Sequence, residues 1–212
     1  HRALAGPDRG PHGGVLRRLK SRPPRPLPKK EVPALSLRIS LAQIDLLVGD
    51  VAGNAERVIA AARHARDVQN AHAVVFPELA LCGYPPEDLL LRPELFRRVD
   101  TALAHIANRF YGFPSHKLTV IGITGTNGKT TVAYLIESIL LQAGFKVGVI
   151  GTINYRYGGK TFANPMTTPE SLDLQRILSE MRASGVSHVV AEASSHAIDL
   201  CRIKNCWFDV AV

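Results

Sequence analysis

The chain is poor in cysteine and in aromatic residues, and it has no long apolar run. Cys82, Cys201 and Cys206 are its only three cysteines, too few for a disulfide framework, which points to a reducing compartment. The longest near-apolar stretches, 71–76 and 118–123, are strand-length, so no membrane span is expected. No apolar segment follows His1, so no secretory leader is read and the expected location is the cytoplasm. Wholesale disorder is excluded by an apolar content of 46%.

An excess of one charge sign is also missing from most of the chain. Nine of the 26 Lys/Arg residues fall within residues 1–30 against Asp8 alone, so positions 31–212 are balanced and the net charge of +8 belongs to a tail. That tail has no aromatic residue to stack on bases, and its proline-rich run from Arg22 to Lys30 cannot propagate a helix. A phosphate-gripping arm is one reading of these charges. A disordered basic extension over residues 1–35, with no nucleic-acid partner, is the expectation.

Ordered structure should begin near Leu35. Residues 37–44 alternate as a half-buried strand does, and Gly49 to Gly53 punctuates them. Asn54 can cap a helix carrying Val58, Ile59, Ala62 and Ala65 at helical spacing. A second strand, 71–76, completes a βαβ unit with parallel strands. A helix follows from Pro93 to Ile106, and 108–115 looks like a boundary. Beyond it come a strand at 118–123, a glycine-rich turn, a helix at 131–143 with Gly144 as C-cap, and a strand at 146–150. A helix at 171–184 and strands at 188–192 and 208–212 complete the pattern. The fold class is α/β, built of two partial units.

The strongest chemical signal is the run Gly122-Ile-Thr-Gly-Thr-Asn-Gly-Lys-Thr-Thr131, set between a buried strand and a helix start. Gly125 and Gly128 let the backbone turn tightly and bring its N–H groups onto phosphate oxygens, beside the positive end of the helix dipole. Lys129 can reach the β- and γ-phosphates, and the Thr130 hydroxyl can ligate Mg²⁺. The glycines at 122, 125 and 128 depart from the usual phosphate-loop spacing. Glu192, ending an apolar strand, is either a metal ligand or a solvated strand end. His196 is either a base or a structural hydrogen-bond partner. Thr167 and Thr168 either cap the helix near Pro169 or face an anion.

Gly125-Thr-Asn-Gly-Lys-Thr-Thr131 resembles the ATP loop of the Mur ligases of peptidoglycan synthesis, most closely the tripeptide-forming branch. The likeness covers about residues 104–212 through Phe110-Tyr-Gly-Phe-Pro-Ser115, Gly151-Thr-Ile-Asn-Tyr-Arg156, Thr167-Thr-Pro-Glu170 and Glu192-Ala-Ser-Ser-His196. It implies that Gly125, Thr126, Asn127, Gly128, Lys129, Thr130 and Thr131 bind ATP, with Lys129 assisting catalysis. It implies that Thr167, Thr168, Ser194 and Arg202 contact a UDP-N-acetylmuramoyl-peptide, and that Thr130 and Glu192 hold Mg²⁺. Leu200 stands where the family usually has Gln. The implied reaction activates a substrate carboxylate as an acyl-phosphate for attack by an amine.

In the first half, Val74-Val-Phe-Pro-Glu-Leu79 places the Glu78 carboxylate just after a buried strand, where it is either a general base or a loop acid in water. Residues 36–107 resemble the start of the nitrilase-type glutaminase domain of glutamine-dependent NAD⁺ synthetase. That resemblance implies that Glu78 is the glutamate of a Glu, Lys and Cys triad whose other members lie further along such a domain; Cys82 is not the nucleophile. Cys201 and Cys206 have no neighbouring His/Cys cluster, so zinc is not expected. The expected organisation is a tail at 1–35, a truncated amidase-like segment at 36–107, and a truncated Mur ligase central domain at 108–212. The function expected is that of an ATP-binding ligase fragment, inactive as this chimera. A glutamine amidohydrolase portion and a non-catalytic nucleotide-binding fragment are the alternatives.

Overall fold

A computed structural model describes residues 36–212, and the expected tail lies outside the described residues. The alternating segment forms a short strand, β1 (Ile39–Leu41), and the second apolar run forms β2 (Ala73–Val75). They pair in parallel, Ile39 opposite Ala73 and Leu41 opposite Val75, and α1 (Val51–Asp67) joins them. This is the expected βαβ unit, with shorter strands. Asp50, rather than Asn54, caps α1: its carboxylate accepts from the Gly53 N–H at 3.0 Å. Asn54 sits fully buried inside the first turn. Its amide nitrogen donates to the carbonyls of Leu47 (2.8 Å) and Leu81 (3.1 Å), and its oxygen accepts from the Leu47 N–H at 3.0 Å. One amide, with two donors and an acceptor, thereby ties two loops to the helix.

The next helix, α2 (Pro93–Phe110), opens on a proline, whose missing N–H costs nothing at that position. It runs past the expected end at Ile106, so the boundary expected at 107–108 falls inside it. The Asn108 amide donates to Gln175 Oε1 (3.2 Å) and to the Asn205 carbonyl (2.9 Å), which holds the last turn helical. Gly112 and Phe113, both at positive φ, then turn the chain away. Val51, Ala55, Cys82, Leu95 and Ala102 form the buried seam linking α1, α2 and the loop after β2.

The remainder builds one sheet. Its strands are β3 (Thr119–Ile123), β4 (Val147–Ile150), β5 (Asn154–Tyr157), β6 (Lys160–Ala163), β7 (His188–Glu192) and β8 (Val210–Ala211). The helices are α3 (Lys129–Gln142), α4 (Ser171–Ala183) and α5 (Ser195–Asp199). The strand order is β6-β5-β4-β7-β3-β8, with β4, β7, β3 and β8 parallel and the β5–β6 hairpin antiparallel. The sheet is therefore mixed rather than purely parallel. Neither the hairpin nor α5 is anticipated by the apolar pattern. The hairpin signal was the two-residue turn Gly158-Gly159, both at positive φ, with Tyr155 and Tyr157 stacking on Phe162.

Strand alternation sorts the core into two layers. Val120, Ile150, Val189 and Ala191 face Leu174, Ile177, Leu178 and Met181 of α4. Ile123, Val149 and Val190 face Ala133 of α3, with Val132, Ile136 and Leu140 around it. α2 packs on the outer side of α4. Among the described residues no helix is long and apolar enough to cross a membrane. Asn54→Ala should destabilise the chain by about 2–3 kcal/mol, because three backbone groups lose their partner, and the loss is read in the urea midpoint. A change below about 0.5 kcal/mol would show that the loops hold α1 without it.

Candidate functional site

The parallel register sets the site. β3 and β7 pair so that Ile123 lies opposite Glu192, and β4 pairs with β7 so that Ile150 lies opposite Ala191. The carboxyl ends of three strands thus converge, which is where open α/β sheets place their ligands. The alternation that turns Val190 toward α3 turns Glu192 the same way. The loop after β3, residues 124–128, is exposed, with Gly125 at φ +133° and Gly128 at φ +81°. Gly128 is the N-cap of α3, in a left-handed conformation that a side chain rarely adopts. Among the described residues none accepts from the backbone N–H groups of residues 125–128. The Lys129 ammonium donates to the Gly125 carbonyl at 2.6 Å, so the lysine folds back along the loop.

Gly122 is not part of this loop. It lies in β3, where a Cβ would come within 2.7 Å of the Phe208 ring, so it is a packing glycine.

Glu192 is 2% exposed and is neither solvated nor isolated. Its Oε2 accepts from the Thr130 hydroxyl (3.1 Å) and the Thr152 hydroxyl (2.9 Å), and its Oε1 accepts from the Thr152 N–H at 3.3 Å. Gly151 leaves room for it, since a Cβ there would lie 2.5 Å from Oε1. Three hydrogen bonds offset part of the cost of burying a carboxylate.

The four residues expected to meet a substrate gather beside this carboxylate. The Thr167 hydroxyl lies 3.1 Å from that of Thr152. Thr168, 3% exposed, donates to the Glu192 carbonyl (2.9 Å) and accepts from the Ser194 N–H at 3.1 Å. It does not cap a helix: α4 begins after Glu170, with no side-chain cap. Ser194 caps α5 by accepting from the Ala197 N–H at 3.1 Å. The Arg202 guanidinium donates to the Thr168 carbonyl (3.4 Å) and pairs with Glu170 at 2.8 Å, while its Nε is buried without a partner. Sequence reasoning missed Thr152 as a site residue, although it lies two residues past β4 within the Gly151–Arg156 motif. His196 is exposed on α5 and makes no side-chain hydrogen bond among the described residues.

Residues 123–212 match the Mur ligase middle domain family. Over 111 residues the chain is 50% identical to the UDP-N-acetylmuramoyl-L-alanyl-D-glutamate--2,6-diaminopimelate ligase of Geobacter metallireducens, covering 52% of this chain and 22% of the relative. The ligase of the same name from Bacillus cereus is 46% identical over 133 residues, covering 63% and 27%. That of Caldanaerobacter subterraneus subsp. tengcongensis is 43% identical over 145 residues, covering 68% and 29%. A solved structure of a ligase of this name aligns with a TM-score of 0.48 at 24% identity, over 83% of this chain and 34% of its own. The chain thus spans less than a third of the length of these three curated relatives and about a third of the solved structure. Within the Mur ligase-like portion lie the loop, Glu192 and all four residues beside it.

Glu78 stands apart from this cluster. It is exposed in the turn after β2, and its carboxylate takes no hydrogen bond among the described residues. The buried Cys82 directs its thiol to the Leu79 carbonyl at 3.6 Å, within its own turn. Release of ammonia from glutamine should therefore be undetectable, because Glu78 has no nucleophile to activate; turnover that disappears in Glu78→Ala would refute this.

All three cysteines are free, and no group of three metal-ligating His, Cys, Asp or Glu occurs among the described residues. Burial pushes the Cys206 thiol up to about 12, against a smaller opposing effect of the Ser115 hydroxyl. The unfolded thiol ionises near its ordinary value of 9.0 while the folded one stays neutral, so Cys206 withdraws stability as pH rises from about 9 to about 12. Titration with a disulfide reagent at pH 8 should label the half-buried Cys206 more slowly in the folded chain than in denaturant, because its raised thiol holds less thiolate. Equal labelling rates in the two states would refute the burial.

Proposed function

We propose that residues 108–212 bind ATP with Mg²⁺ as the nucleotide-binding portion of a Mur-type ligase. The observation that carries this reading is the buried Glu192 carboxylate 3.1 Å from the Thr130 hydroxyl, directly under a glycine loop at the head of α3. Free loop N–H groups and a helix N-terminus suit a chain of phosphates. One carboxylate and one hydroxyl suit Mg²⁺, a hard cation that keeps water and phosphate oxygens as its other ligands. When bound, that ion neutralises charge on the transferred phosphoryl group.

The roles proposed for the chain's own residues fit where they stand. Gly125 to Gly128 cradle phosphate oxygens through their backbone, and Thr131 continues the first turn of α3. Lys129 leaves the Gly125 carbonyl to meet the β- and γ-phosphates, a charge-assisted exchange. Thr130 and Glu192 hold the cation. Thr167, Thr168, Ser194 and Arg202 form the floor for the acid to be activated. The relatives' names support UDP-N-acetylmuramoyl-L-alanyl-D-glutamate as that acid and 2,6-diaminopimelate as the amine. The Thr168 hydroxyl has already spent its proton on the Glu192 carbonyl, so toward a substrate it can only accept. Arg202 retains an unpartnered Nε–H that can donate.

Residues 108–212 are proposed to bind the nucleotide that such a ligase consumes. Calorimetric titration of Mg²⁺–ATP should show binding that Lys129→Ala weakens by about 1.5–3 kcal/mol, roughly 10- to 100-fold. Equal affinity in both proteins would reduce residues 122–131 to a turn.

A further inference from the structure

We propose that Thr152 is a positioning residue for the Glu192 carboxylate, and that it links Thr167 to the strength of cation binding there. The inference rests on the nucleotide-binding reading above. Thr152 supplies two of the three hydrogen bonds to Glu192, one from its backbone N–H to Oε1 and one from its hydroxyl to Oε2. It is exposed in the turn after β4, so its side chain is not needed to fill a core.

The direction of each hydrogen bond follows from counting protons. An ionised carboxylate only accepts, so the Thr130 and Thr152 hydroxyls both donate to Oε2. A hydroxyl has one proton, and that of Thr152 is spent on Glu192. The 3.1 Å contact between Thr152 and Thr167 must then be donated by Thr167. The result is a directed chain from Thr167 to Thr152 to Glu192, in which each donation polarises the next. On its other side Glu192 is pressed against Gly151, where a Cβ would fall 2.5 Å from Oε1. Without the Thr152 hydroxyl, Oε2 keeps only Thr130, the group a cation would share with it. Anything that claims the Thr167 proton also weakens Thr152 as a donor. Occupancy beside Thr167 and cation affinity at Glu192 are thereby coupled through one hydroxyl, and the coupling is reciprocal.

The test is binding of Mn²⁺, in the presence of saturating ATP, to the 212-residue chain, read by electron paramagnetic resonance of the free ion. Thr152→Val should raise the half-saturating Mn²⁺ concentration about five- to tenfold, the equivalent of one hydrogen bond, with the melting temperature within about 2 °C. Thr152→Ser should stay within about twofold of the unaltered chain, because the hydroxyl returns. Thr167→Val should raise it about two- to threefold alone and add nothing on top of Thr152→Val, the mark of one chain of donation. A Thr152→Val effect under twofold, a Thr152→Ser loss equal to it, or additive effects of the two valines would each overturn the proposal while leaving nucleotide binding intact. If the unaltered chain forms no Mn²⁺–ATP complex, the nucleotide-binding reading falls and this inference falls with it.

Discussion

The arrangement depends on a buried carboxylate that has to be satisfied at the seam between β3 and β7. Glu192 ends a strand whose four preceding residues are His188, Val189, Val190 and Ala191, and parallel pairing with β3 places it beside Ile123. Everything within reach is then constrained by one anion in an apolar setting. Thr130 must follow Lys129 at the head of α3, since its hydroxyl is one of three donors. Thr152 must lie close past the end of β4, because its N–H and hydroxyl supply the other two. Residue 151 must lack a Cβ for reasons of space rather than backbone conformation. The backbone carbonyl of Glu192 is engaged as well, by Thr168, which in turn fixes the Ser194 N–H and the start of α5. Loop, hairpin and α5 are thus positioned by a single residue.

The opposite face of the sheet obeys a volume rule. A Cβ on Gly148 would lie 2.7 Å from the Met181 sulfur, and one on Gly122 would strike Phe208 at the same distance. Both glycines point to the layer filled by α4 and the segment before β8, and they let that layer approach the strands at close-packed density. Interiors packed this tightly do not yield gradually. The two faces therefore answer different demands, dense apolar packing against α4 and polar satisfaction beside α3. Period-two alternation along β7 separates them within one residue.

What could be read from the sequence was whatever its periodicity or punctuation encodes locally. β7 has the expected bounds, and α3 and α4 are placed to within two residues, because apolar spacing, Gly128 and Gly144 mark them. The loop residues were legible because few sequences put Gly-x-x-Gly-Lys-Thr between a strand and a helix. Asn54 was misread for a physical reason: an amide able to cap a helix is equally able to bridge two loops, and only the tertiary position of Leu81 decides between these. Of the two local readings of Thr168, a helix cap or a group facing an anion, the cap fails for the same reason: the hydroxyl serves a carbonyl 24 residues away. Thr152 left almost no local trace, since its partners Glu192 and Thr167 are brought near only by the β4–β7 register. Long-range polar contacts of this kind have no period to detect.

Charge limits what the basic residues of the candidate site can offer an anion. The body of the chain is electrically balanced, and the cations near the loop are mostly committed elsewhere. Arg156 forms a two-pronged pair with Glu137 and lies 4.3 Å over the Tyr134 ring, which fastens the β5–β6 hairpin to α3. Arg202 is held by Glu170. Lys129 remains, with its ammonium folded onto the Gly125 carbonyl, and it is one positive charge against a polyphosphate. The α3 dipole adds only about half a charge at its N-terminus. On the proposed reading Glu192 and Thr130 would hold a divalent cation, which would supply the positive charge that the basic residues do not. The Thr130 and Thr152 hydroxyls converging on Oε2 already keep that oxygen turned toward the head of α3, where the phosphates would lie.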